Sequence, residues 1–129
     1  MVKQFATYEI ALKLKELGFD EECLAWYYLP ANATNENDYI LALDSETPEN
    51  QVVYIKAPLW QQVIDWFREK HNLLISISRL NDNYVYGLFN IYRNCYVTSM
   101  TIGEIREIRT YNEAREQAIL KAIELCQKI

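Results

Sequence analysis

The chain has 129 residues, of which half are apolar and 24% charged, with only three glycines and three prolines. That composition excludes a disordered tail, a collagen-like fibre and a low-complexity linker, and the length predicts a single globular domain over residues 1–129. The net charge of −5 argues against a general binder of nucleic acid or anionic membrane.

Residues 1–7 carry no apolar signal core and no later run is long enough to span a membrane, so the chain reads as cytoplasmic. Cys23, Cys95 and Cys126 are odd in number and far apart, with no C-x-x-C pair. They are expected to be reduced, buried thiols acting as small hydrophobes.

The first helix is predicted from an N-cap at Thr7 to a left-handed stop at Gly18, with Phe19 folding back on Leu14. Ile10, Leu14 and Leu17 make one apolar stripe, and Tyr8 with Leu12 make a second. A helix apolar on two sides is covered twice, by its own chain or by a partner. Residues 20–49 then hold eight acids (Asp20, Glu21, Glu22, Glu36, Asp38, Asp44, Glu46 and Glu49) and no Lys or Arg. Inside that stretch, 24–29 and 39–43 read as short strands, and 52–55 as a third.

Pro58 suits the first turn of a second helix, whose arc of Leu59, Trp60, Val63, Ile64, Trp66 and Phe67 is apolar. Asn72 is its expected C-terminal residue. Residues 73–80 and 84–93 alternate as strands about the turn Asn81-Asp82-Asn83, and 95–102 reads as a third strand after a turn at Asn94. The last helix opens on a capping box, Thr110 with Glu113, and presents Tyr111, Ala114, Ala118, Ala122 and Leu125 as its buried stripe. The expected fold class is α+β: an antiparallel meander over about 73–102 with two to three helices packed on one face. The early strands either extend that sheet or form a small second one.

Three blocks stand out together: Thr7-Tyr8-Glu9-Ile10-Ala11 through Leu17-Gly18-Phe19 and Cys23-Leu24-Ala25; Ala57-Pro58 through Trp66-Phe67-Arg68-Glu69-Lys70-His71; and Thr110-Tyr111-Asn112-Glu113-Ala114. In these the chain resembles small uncharacterised proteins of Bacteroides-type gut bacteria, associated with phage or other mobile elements. A threonine often follows the Ala-Pro pair there, where this chain has Leu59. The resemblance implies a setting and no activity, because its motifs are capping and core residues.

No catalytic constellation is legible. His71 is the only histidine, so any Ser-His-Asp or Cys-His site must run through it, and its place at a helix end near Trp60, Ile64 and Phe67 reads as structural. A structural zinc site is excluded by the ligand inventory. The loop from Asn35 fails as a calcium loop at Tyr39 and Ile40, leaving an irregular cation site among Glu36, Asp38, Asp44 and Glu46 against a solvated acidic face. Gly18, Gly87 and Gly103 lie too far apart to cradle phosphate, and no cofactor is expected.

Tyr84, Tyr86 and Tyr92 fall on one face of their expected strand, with Tyr96 on the next and Arg79, Arg93, Arg106 and Arg109 near in sequence. Such a sheet could stack bases, but Tyr86-Gly87-Leu88-Phe89 is only a fragment of an RNA-binding signature. The candidate interaction face is therefore Tyr84, Tyr86, Tyr92, Tyr96, Tyr8 and Leu12, with protein as the expected partner: a second copy, a host protein or a phage protein. Three functions remain in order: a non-enzymatic accessory or interaction protein; an acidic decoy that mimics nucleic acid through residues 20–49; and an enzyme with an unfamiliar site.

Overall fold

In a computed structural model of the chain, which describes residues 4–29, 39–43, 54–98, 100 and 102–127, the first apolar run folds as α1 (Tyr8–Leu17). The Thr7 hydroxyl accepts the Ile10 N–H at 3.3 Å, satisfying an amide that has no partner inside the helix. At the other end Gly18 sits at φ +107°, where a Cβ would be strained, and the chain closes with Phe19 N–H to the Leu14 carbonyl and Gly18 N–H to the Lys15 carbonyl. That pair of bonds is a Schellman ending.

The described residues form four helices and two three-stranded sheets, an α+β fold whose contacts group into two units, 1–63 and 64–129.

In the first unit, β1 (Ala25–Tyr28) lies between β2 (Ile40–Leu43) and β3 (Tyr54–Ala57), antiparallel to both. The early strands thus make a sheet of their own. Ala25 pairs with Leu43 and Ala57, and Tyr27 with Leu41 and Ile55, so one face collects a buried cluster with Phe5 and Ala11. Tyr8 and Leu12 pack against the same cluster. The second apolar strip of α1 is therefore covered by the chain itself. Tyr27 donates its hydroxyl to the Ala6 carbonyl at 2.6 Å, and the Tyr8 ring stacks on Tyr39 at 4.0 Å.

α2 (Trp60–His71) buries Trp60, Val63, Trp66 and Phe67, and its C-terminal neighbour Asn72 is left-handed at φ 56°. In the second unit, β4 (Leu73–Leu80) and β5 (Asn83–Asn90) form a hairpin about Asn81-Asp82, with β6 (Cys95–Tyr96) added at the edge of β5. Two further helices follow, α3 (Ile102–Glu107) and α4 (Tyr111–Gln127). α4 packs on β4 and β5 through Ala114, Ala118, Ile119, Ala122 and Ile123. The three alanines leave room for close approach. Tyr111 and Leu125, expected in the buried stripe, stay partly exposed, while Ile123 takes a place in the core. Burying each of Leu88, Ile119 and Ile123 stabilises the fold by about 1.5–3 kcal/mol relative to exposure.

The third strand is shorter than expected: β6 ends at Tyr96, and α3 starts where 95–102 was to finish. The hydrogen bonds of β5 show why a longer strand is unnecessary. Beyond Val97 N–H to the Leu88 carbonyl, the outward N–H of Tyr86 meets Met100 Sδ at 3.2 Å and that of Tyr84 meets the Ile108 carbonyl at 3.1 Å. The edge of β5 is thus covered without a ladder. Asn83 ties this covering segment down by donating to the carbonyls of Ile105 and Arg106.

Candidate functional site

Period-two alternation divides the residues of the β4–β5 hairpin between two faces. Leu73, Ile75 and Leu88 lie on the face under α4 and are buried. Tyr84 and Tyr86 belong to that same face. Tyr84 meets the Tyr111 ring edge-on at 6.2 Å, and the Tyr86 hydroxyl is pushed above its ordinary pKa by burial, with the charges of Glu104 and Glu124 adding to it.

The opposite face carries Leu74, Ser76, Ser78 and Leu80 from β4 with Val85, Gly87 and Phe89 from β5. Tyr96 pairs with Phe89, its ring edge-on at 5.2 Å, and lies over the backbone at Gly87, where a Cβ would come within 3.0 Å of Cε1. Five large apolar side chains of this face and the adjoining 91–94 turn are exposed: Leu74 (40%), Leu80 (47%), Ile91 (44%), Tyr92 (87%) and Tyr96 (67%). Leu74, Leu80 and Tyr96 lie on this outer face, and Ile91 and Tyr92 lie in the turn beside it.

The six residues picked out from sequence are therefore not one surface. Tyr84 and Tyr86 face α4, while Tyr96 faces the other way. Tyr92 is in the turn, because β5 stops at Asn90. Tyr8 and Leu12 pack in the first unit. What sequence reading passed over is Leu74, Leu80 and Ile91. The signal was present in the alternation of 73–80, where even positions are Leu, Ser, Ser, Leu.

A second feature of the same unit is a cleft of about 330 Å3 lined by Tyr86, Glu104, Glu107, Glu113 and Glu116, with Ile108 and Gln117. The glutamates come as two i,i+3 pairs, one on α3 and one at the start of α4. Among the described residues no group of acids, His or Cys is arranged to hold a metal ion. Glu113 also helps begin α4: Thr110 Oγ1 accepts its N–H at 3.1 Å, and its carboxylate accepts from Arg109 N–H at 3.4 Å. The capping box is present with its return arm one residue early.

In the first unit, two depressions of about 320 and 390 Å3 share Trp26 and Lys56. Lys56 donates to the Asp20 carbonyl at 2.6 Å and lies 6.0 Å from the centre of the Trp26 ring. Cys23 lines the larger depression. Burial pushes its thiol up to about 11, against the opposing pull of Lys56, so at neutral pH it is a thiol and a poor nucleophile. Burial likewise raises Cys126 to about 11. None of the three thiols is fully buried as expected: Cys23 and Cys126 are half-buried, and Cys95 sits exposed on the two-residue edge strand.

The His71 ring packs edge-on against Trp66 at 4.8 Å and near Phe67 at 5.7 Å, and burial lowers its pKa. Of the acid-rich stretch, Glu36, Asp38, Asp44, Glu46 and Glu49 lie outside the described residues. Glu21 and Glu22 are tied to Gln62, the first by its carboxylate and the second by its carbonyl. Among the described residues no helix is long and apolar enough to cross a membrane. Comparison with protein-family models, with curated proteins and with solved structures returned no match.

Proposed function

We propose that this chain is a non-enzymatic interaction protein that docks through the outer face of its β4–β5–β6 sheet. The observation that carries the reading is the exposure of Leu74, Leu80, Ile91, Tyr92 and Tyr96 on that face and its adjoining turn. Tyrosines supply large, rigid contact area at low entropic cost, and the neutral serines between the leucines bring no desolvated charge into an interface. A phage or mobile-element setting rests on the sequence resemblance alone.

The acidic cleft favours a second reading, in which Glu104, Glu107, Glu113 and Glu116 receive a cationic group such as a lysine or arginine side chain of a partner. It shares no residue with the acidic stretch 20–49, on which the nucleic-acid decoy reading rests. One experiment separates the two. A photo-cross-linking side chain is placed at Tyr92 and, in another preparation, at Glu113, and adducts are collected in source cells. Adducts from position 92 support the outer face, whereas adducts from position 113 alone move the site to the cleft. Absence of adducts at either position overturns both.

A further inference from the structure

The two edges of the second sheet are treated differently. On the outward edge of β5 the N–H groups of Tyr84 and Tyr86 are taken by the Ile108 carbonyl and Met100 Sδ, and the Leu88 carbonyl accepts from Val97 N–H, as described above. β4 pairs with β5 on one side, and among the described residues no strand pairs with the other. The hairpin closes on Leu80 and Asn83 across a two-residue turn, and Ile91 N–H bonds the Asn72 carbonyl. Even-numbered residues of β4 therefore bond inward to β5, and Leu73, Ile75, Ile77 and Arg79 direct N–H and C=O outward. The strand has eight residues, no proline and a single charge, Arg79, so it lacks most of the devices that keep an edge from pairing.

We infer that β4 is the seam of a two-fold homodimer, in which β4 pairs antiparallel with β4 of a second copy about an axis at Ile77. The occupant follows from the outer-face sequence of the strand, Leu74, Ser76, Ser78, Leu80, which reads the same in both directions. An antiparallel strand with that same pattern matches it position by position. About Ile77, each exposed Leu74 meets the partner's Leu80 and each Ser76 meets the partner's Ser78. Ile77 bonds its own counterpart, and Ile75 bonds the partner's Arg79. The two arginines fall on opposite sides of the axis, each across from an isoleucine, so no like charges face one another. The result is one six-stranded antiparallel sheet, in which the exposed leucines of each chain gain those of the other as lateral cross-strand neighbours on the outer face. This inference rests on the outer-face reading and names one occupant of it.

The test uses the full chain. Light scattering during size exclusion is expected to give twice the chain mass of 15.3 kDa at micromolar concentration. Ser76→Lys with Ser78→Lys sets lysine against lysine at both symmetric pairs and should weaken the dimer by about tenfold or more. Ser76→Glu with Ser78→Lys sets opposite charges at the same positions and should recover most of that loss. A native chain that stays at monomer mass to high micromolar concentration overturns the seam, and so does a Glu/Lys variant no better than the Lys/Lys one. Cross-linking from Tyr92 in the otherwise native chain keeps the two readings apart. Adducts there with a monomeric chain preserve the docking face and remove the dimer.

Discussion

Each unit of this chain builds a three-stranded antiparallel sheet, and the two sheets handle their apolar residues in opposite ways. In the first, the strands are four residues long and the central one, β1, has a partner on each side. Three tyrosines of this unit serve the core side: Tyr27 is buried and hydrogen-bonded to Ala6, and Tyr8 stacks on Tyr39, while Trp26 and Tyr28 on the other face of β1 stay half-buried. In the second, two eight-residue strands make a hairpin whose inner face is sealed by α4 and whose outer face keeps leucines and tyrosines in solvent. The lesson is that apolar content does not distinguish a core face from a contact face. What distinguishes them is whether a helix from the same unit is available to cover the face.

That contrast can be broken by mutation, beginning where the effect is largest. Leu88→Ala empties a fully buried site under α4 and is expected to destabilise the protein by about 2–5 kcal/mol in urea unfolding. A loss well below 1 kcal/mol would mean that the inner face is no better packed than the outer. Alkylation separates the thiols next. Cys95 should react first at neutral pH, because it is exposed, whereas burial raises Cys23 and Cys126 from 9.0 to about 11 and lowers the thiolate fraction of each roughly a hundred-fold. Mass mapping as a function of pH reads this directly, with labelling of those two rising only as pH climbs towards 11. The folded state favours their protonated form, so whatever stability they contribute is complete below about pH 9 and is lost as pH rises towards 11.

Tyr27→Phe removes the donor to the Ala6 carbonyl and should cost about 1–3 kcal/mol, since that acceptor is left without its partner in a buried place. Smallest of all, Leu80→Ser and Tyr92→Ser on the outer side of the second sheet should change monomer stability by no more than about 0.5 kcal/mol while weakening whatever docks there. If Tyr92→Ser unfolded the chain as Leu88→Ala does, the face would belong to the core.

Local chemistry was readable from the sequence and long-range convergence was not. Thr7, Gly18 and Thr110 begin or end elements through bonds spanning a few residues, and Asn72, Asn81 and Asn94 do so by taking left-handed backbone at φ 56°, each where its residue type directs. The third strand was overestimated because Val97 and Thr98 favour strands, whereas the edge they would extend is satisfied by Met100 and Ile108, which local pattern cannot foresee. Tyr92 was assigned to a face because alternation was continued past Asn90, where the turn begins. The acidic cleft was hidden for a related reason. Residues 51–129 are nearly balanced in charge, and only folding brings the two glutamate pairs of α3 and α4 around Tyr86.

Gly87 gives the outer face its relief. Because the position carries no side chain, the Tyr96 ring can lie against the strand instead of standing off it, and Ser76 Oγ also sits within 3.3 Å of where a methyl would be. A hydrogen at this one place thus acts as a mould: alanine would tilt the ring outward, roughen a shallow surface into a ridge, and alter which shapes can seat on it without removing a single apolar atom.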